Sequence, residues 1–264
     1  MHLSSLHIYP IKSARGISLA SAALDDFGLE GDRRWMVIDP SGRFVSQREA
    51  HRLALLEVDL DTTELILDAP GMSPLRLPRA LADGRIAAVR IWEDTCEAIE
   101  GSAEAERWLT TFLGTPARLA YMPDQTFRVV NQRYVPDRRR VSFADAYPAL
   151  LTGESSLADL NGRMASPLPM NRFRPNLVVR GSEPFEEDRW KTVRIGAVEF
   201  DVVKPCDRCV TTTIDQATGE QGREPLRTLA TFRKWDGQVY FGQNVVHRTG
   251  GVLRSGDPVS PTLK

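Results

Sequence analysis

A chain of 264 residues suits one large domain or two smaller ones and is long enough to bury a core. With 42% hydrophobic and 26% charged residues it is neither disordered nor collagen-like, and 34 basic against 35 acidic residues argue against a general nucleic-acid or anionic-membrane binder. Three cysteines argue against a paired disulfide scaffold, and no window approaches the roughly 18 apolar residues of a membrane span, so the expectation is a cytoplasmic protein with no membrane anchor.

In chain order, short apolar runs predict strands at Leu3 to Tyr9, Trp35 to Asp39, Leu53 to Leu60, Glu64 to Leu67 and Ala87 to Trp92. Turn signals such as Asp39-Pro40-Ser41-Gly42 and Asp83-Gly84 punctuate them. The clearest helix is Ala103 to Leu113, with Ser102 as N-cap and Gly114 as terminator. A strand at Ala117 to Tyr121 precedes the polar segment Pro123 to Arg140, the best linker or mobile loop. Its closing triplet Arg138-Arg139-Arg140 reads as a solvated run or as one wall of a cleft for an anion. Shorter helices are expected at Ser155 to Met164 and Pro225 to Phe232, and further strands at Asn176 to Val179, Thr192 to Ile195 and Ala197 to Val203. The rhythm is that of a mainly β chain with a few helices, built as largely antiparallel sheets or barrels.

Chemistry concentrates at Lys204-Pro205-Cys206-Asp207-Arg208-Cys209. A thiolate is both a nucleophile and a soft-metal ligand, and Lys204 and Arg208 are the cations expected to favour that form. Cys96 and four scattered histidines do not complete a zinc set, and Thr211 to Thr213 favour a strand over the helix a thioredoxin-like motif needs. In an extended segment residues three apart point to opposite faces, so one cysteine is expected to act alone, with an inert buried pair as the other reading. Tyr9-Pro10-Ile11-Lys12-Ser13-Ala14-Arg15-Gly16 has the makings of an anion loop. Gly31-Asp32-Arg33-Arg34-Trp35 and Asn171-Arg172-Phe173-Arg174-Pro175-Asn176 add guanidinium groups suited to phosphate.

Taken in order with Ser142-Phe143-Ala144-Asp145-Ala146-Tyr147-Pro148, Ser155-Ser156-Leu157-Ala158-Asp159-Leu160-Asn161, Glu224-Pro225-Leu226 and Gly256-Asp257-Pro258-Val259, these segments resemble the MOSC-domain proteins. The resemblance is to the bacterial relatives of the mitochondrial amidoxime reducing component. It implies a MOSC N-terminal β-barrel domain over residues 1–121 and a MOSC domain over residues 122–264. It also implies a molybdenum cofactor, molybdenum on molybdopterin, bound between them. By the same resemblance Cys209, not Cys206, is the metal ligand; Lys12, Ser13, Arg33, Arg174 and Asn176 hold the cofactor, with Arg208 next to the ligand. Asp145 lies beside the metal, as a proton relay or as a hydrogen-bonding group. Nanomolar retention takes about 12 kcal/mol and a charged hydrogen bond contributes only about 1.5 to 3, so several separate anchors are required.

The implied activity is reduction of N-hydroxylated compounds: amidoximes, hydroxylamines and N-hydroxylated bases. The chain has no dinucleotide fingerprint and no ferredoxin cysteines, so electrons are expected from a separate flavin, haem or iron–sulfur protein. The alternatives are a cofactor carrier or insertion protein without turnover, and a β-rich interaction module with inert cysteines.

Overall fold

The computed structural model describes residues 1–264. Its largest sheet has nine strands, in the order Val259–Leu263, Trp190–Ile195, Val198–Asp207, Gln238–His247, Ala149–Gly153, Leu177–Arg180, His2–Ile8 and Ile17–Leu19, with Lys234–Trp235 paired to Gln238–His247. Every pairing is antiparallel except Ala149–Gly153 with Leu177–Arg180, which needs a crossover, and helix Glu154–Gly162 lies in that connection. A second sheet joins Trp35–Ile38, Arg118–Tyr121, Asp94–Glu100 and Ile86–Ile91, and two three-stranded sheets complete the β structure. The mainly β class with few helices is therefore what the chain adopts. No helix is long and apolar enough to cross a membrane.

The chain does not fill one half and then the other. Leu3, Leu6 and Ile8 pack in the same core cluster as Trp190, Val193 and Phe200, because the first strand pairs with Leu177–Arg180. Trp35, Leu109 and Phe112 belong to a separate cluster, into which the amphipathic helix Ala103–Leu113 buries Ala105, Leu109 and Phe112. Ser102 caps that helix by accepting from the Ala105 amide at 3.2 Å, and Gly114 ends it in the left-handed region at φ 72°.

Several expected elements change character. Leu53 to Leu60 divides into a 3-10 turn, His51–Leu55, and a short strand, Glu57–Leu60. The last helix shortens to Leu226–Leu229. Thr211 to Thr213 do not extend a strand; Val210–Thr213 is a 3-10 turn whose threonine hydroxyls bond back to the Cys209 and Val210 carbonyls. Local side-chain bonding of this kind offers the backbone an alternative to a sheet ladder, which is why β propensity misleads there.

The central strand Gln238–His247 has no clean alternation, because Gly242 interrupts it and two amides follow, Gln243 buried and Asn244 half-buried. Their N–H groups find partners, Gln243 Nε2 donating to Asp188 Oδ1 at 2.6 Å and Asn244 Nδ2 to the Lys204 carbonyl at 3.4 Å, while the buried Gln243 Oε1 has none. At Gly242 φ is 79°, and a Cβ would lie 2.8 Å from the Leu151 carbonyl oxygen. Gly237, in the Asp236-Gly237 turn, has φ 75° but open space around it. Gly242→Ala should lower the unfolding free energy by about 3 kcal/mol and Gly237→Ala by about 1. Urea titrations measure both; equal losses would mean that the close approach at Gly242 is relieved without cost.

Candidate active site

The Cys-x-x-Cys segment ends the strand Val198–Asp207, and its register slips against Gln238–His247 between Val202 and Lys204 and again between Pro205 and Asp207. Pro205 has no N–H to give the ladder, and a bulge is where a sheet tolerates it. After Asp207 the backbone turns, so that Cys209 heads the 3-10 turn. Face alternation therefore does not run from Cys206 to Cys209. Both thiols line one cavity of about 140 Å³, and the expected opposite-face arrangement is corrected.

All eight residues singled out from the sequence line that cavity: Lys12, Ser13, Arg33, Asp145, Arg174, Asn176, Arg208 and Cys209. Short backbone hydrogen bonds staple their segments together. The Lys12 amide donates to the Trp35 carbonyl at 2.8 Å, the Arg33 amide to the Tyr9 carbonyl at 2.8 Å, and the Phe143 amide to the Arg33 carbonyl at 2.9 Å. Six non-glycine residues of the chain have positive φ, and four of them, Ser13, Arg33, Trp92 and Arg174, line this cavity. Such conformations cost energy and persist where the surroundings over-determine them, a pattern that marks functional sites.

The cavity is cationic. Lys12, Arg33, Arg48, Arg174 and Arg208 face only Asp145 and Asp207 among its lining carboxylates. Arg33 and Arg174 both sit over the buried Tyr9 ring, 4.6 and 4.2 Å from its centroid. Arg33 is held by Asp32 Oδ2 at 2.5 Å and Asn176 Oδ1 at 3.0 Å, and Asn176 also bonds the Leu150 amide and the His7 carbonyl. The Asn176 carboxamide is thus engaged in positioning Arg33. Arg174 is less well matched: its buried Nη2 has no partner, and burial pushes its guanidinium down to about 10. Arg208 donates to the Phe173 carbonyl at 2.6 Å and to Cys206 Sγ at 3.0 Å, while its buried Nε is also unpartnered.

Asp145 Oδ1 accepts from Lys12 Nζ at 2.5 Å and from Trp92 Nε1 at 3.1 Å. Protein atoms surround the carboxylate, yet its side chain remains 68% exposed to the cavity space. Burial alone would raise its pKa; the Lys12 charge and hydrogen bond, helped by Trp92 and Arg33, overturn that and hold it far below the usual carboxylate range. Arg128, which no motif in the loop marks, fixes this segment. Its buried guanidinium donates to the Ser142, Ala144 and Asp145 carbonyls at 2.8, 2.6 and 3.0 Å, and its Nε to Asp94 at 2.8 Å. The loop after Pro123 is therefore tied to the site, and Arg140, from the arginine triplet, instead lines a cavity of about 500 Å³ that contains no thiol.

The two thiols differ. Burial raises Cys206, only partly offset by Arg208. Burial also works against Cys209, but the Thr211 hydroxyl, the Arg48 charge and the Thr211 amide outweigh it, and Cys209 falls below the ordinary thiol value. The cation at Cys209 is thus Arg48, from the first third of the chain, and not Lys204, whose Nζ pairs with Asp207 at 2.9 Å. Arg48 lay in a polar stretch with no motif to mark it; only the fold brings it to the thiol. Cys96, half-buried and away from the cavity, is pushed up to about 11 by desolvation. With the cofactor-free protein, iodoacetamide should therefore alkylate Cys209 at the lowest pH, Cys206 at higher pH and Cys96 last. Peptide mapping across a pH series reads the order; Cys206 reacting before Cys209 would contradict the assignment of the thiolate.

Residues 1–116 match the MOSC N-terminal beta barrel domain and residues 138–260 the MOSC domain. Mitochondrial amidoxime reducing component 2 of Rattus norvegicus is 37% identical over 277 residues, covering 97% of this chain and 82% of that protein. The human component 1 is 34% identical over 281 residues, with the same two coverages, and the human component 2 is 35% identical over 275. The chain belongs to the MOSC-domain family, in the group that contains the mitochondrial amidoxime reducing components.

Proposed function

We propose that this chain is a molybdenum cofactor-dependent oxidoreductase that reduces N-hydroxylated compounds with electrons delivered by a separate flavin, haem or iron–sulfur protein. The observation that carries the reading is a thiol biased toward thiolate, Cys209, at the edge of a cavity whose arginines lack partners for buried N–H groups. A soft thiolate suits molybdenum, and unpartnered guanidinium donors suit a phosphorylated pterin. The residues fit the group on those grounds. Clefts of about 280 and 460 Å³ adjoin the cavity through Arg174 and through Phe44, Ser46, Arg48 and Trp92, so a ligand larger than about 140 Å³ has contiguous space.

In this reading Cys209 would hold the metal, while Lys12, Ser13, Arg33, Arg174 and Arg208 would hold the pterin and its phosphate, and Asn176 would keep Arg33 aimed. The bound group would supply two-electron, oxygen-accepting redox chemistry. The protein's own contribution is orientation and charge. Asp145, held ionised by Lys12, would accept a hydrogen bond from a substrate O–H or N–H and orient it; so strongly stabilised a carboxylate neither supplies a proton nor readily takes one up. Lys12 keeps that carboxylate fixed, and Arg128 fixes the backbone that bears it.

Cofactor-loaded protein supplied with reduced methyl viologen should reduce amidoximes and hydroxylamines, and Cys209→Ser should lower that rate by at least about a hundredfold while Cys206→Ser has a smaller effect. With NADH or NADPH alone the protein should be inactive until a reductase is added. Loaded protein that stays inactive on a panel of N-hydroxylated substrates with methyl viologen would replace this reading with that of a cofactor carrier.

A further inference from the structure

Three open spaces share one wall: the cavity that holds the thiols, the cleft of about 460 Å³ on the Arg43 and Arg90 side, and one of about 380 Å³ lined by Asp94, Asn131, Gln132 and Asp145. Trp92 lines all three, and no other residue does. It occupies the two-residue turn between strands Ile86–Ile91 and Asp94–Glu100, at φ 54°, where glycine would be the undemanding choice. A strained tryptophan at such a place needs a reason. Packing supplies part of one, since its ring meets Phe44 edge-on at 4.7 Å and carries the Arg48 guanidinium 4.3 Å from its centroid. The residue is nevertheless 38% exposed and lines all three open spaces.

Its Nε1 donates to Asp145 Oδ1, and Asp145 Oδ2 takes no hydrogen bond from the protein. An apolar ring surface therefore stands beside a carboxylate oxygen that is free to accept. That pairing suits a flat, delocalised group with N–H donors at its edge, the description of an aryl amidoxime or an N-hydroxylated base and of the amidine formed from it. Resting on the reductase reading above, we propose that Trp92 is the specificity-determining residue of the substrate subsite, stacking planar substrates while Asp145 receives their N–H group. Compact aliphatic substrates reach the same carboxylate without using the ring.

The test compares Trp92→Gly, which removes the ring and relieves the turn, with Trp92→Phe, which keeps an aromatic face. Calorimetric binding to cofactor-loaded protein uses benzamidine and acetamidine, redox-inert amidines that differ in the aryl group. Trp92→Gly should cut the preference for benzamidine about tenfold, the size a lost aromatic stack gives, and Trp92→Phe should retain most of it. The ratio of kcat/KM for benzamidoxime over acetamidoxime should move in parallel, through KM. An unchanged preference in Trp92→Gly, or wild-type protein that binds neither amidine, overturns the assignment. If the wild type binds benzamidine through Trp92 but reduces neither amidoxime, the reductase reading falls and the subsite stands.

Discussion

The whole arrangement depends on the concentration of positive charge around one thiol. Arg33 and Arg174 share the face of a buried tyrosine, Lys12 is buried beside them, and Arg48 and Arg208 flank the two cysteines. Like charges in a weakly solvated space repel, and each costs several kcal/mol to desolvate unless something answers it. Protein groups answer some of them: Asp32 and Asn176 hold Arg33, and Asp145 holds Lys12. Arg174 and Arg208 keep buried N–H groups with no protein acceptor, donors of the kind the proposed anionic group would take.

That charge cluster explains why the chain weaves. Its members come from widely separated segments, and no single local element could hold so many cations together. The first strand is committed to the sheet of the second half, which places Tyr9, Lys12 and Ser13 across from Arg174 and Asn176. Arg48 and Trp92 arrive from the other sheet system and close the cavity from the opposite side. The left-handed backbone at Ser13, Arg33, Trp92 and Arg174 is strain that a rigid double framework can hold and a single hairpin could not.

Much of this was legible in the sequence. The segments around Lys12, Arg33, Arg174 and Cys209 are local clusters of donors, and local clusters leave a mark that a reader can find. Arg48, Trp92 and Arg128 leave none, because each earns its role from a partner far away in sequence: a thiolate, a carboxylate and a row of carbonyls. The strand Gln238–His247 was hidden for a related reason, since the N–H groups of its amide side chains find partners only after folding. At Cys206 to Cys209 the period of a regular strand gave the wrong geometry, because the ladder is bulged around Pro205 and the strand ends at Asp207, before Cys209 heads the 3-10 turn.

The central claim is that Cys209 alone supplies a protein thiolate to molybdenum. The direct measurement is metal-edge X-ray absorption on wild-type protein, Cys209→Ser and Cys206→Ser, each produced in a host that makes the cofactor. The account requires molybdenum in the wild type, one fewer sulfur neighbour in Cys209→Ser, and an unchanged sulfur shell in Cys206→Ser. A sulfur lost in Cys206→Ser instead, or wild-type protein that acquires no molybdenum, would contradict it.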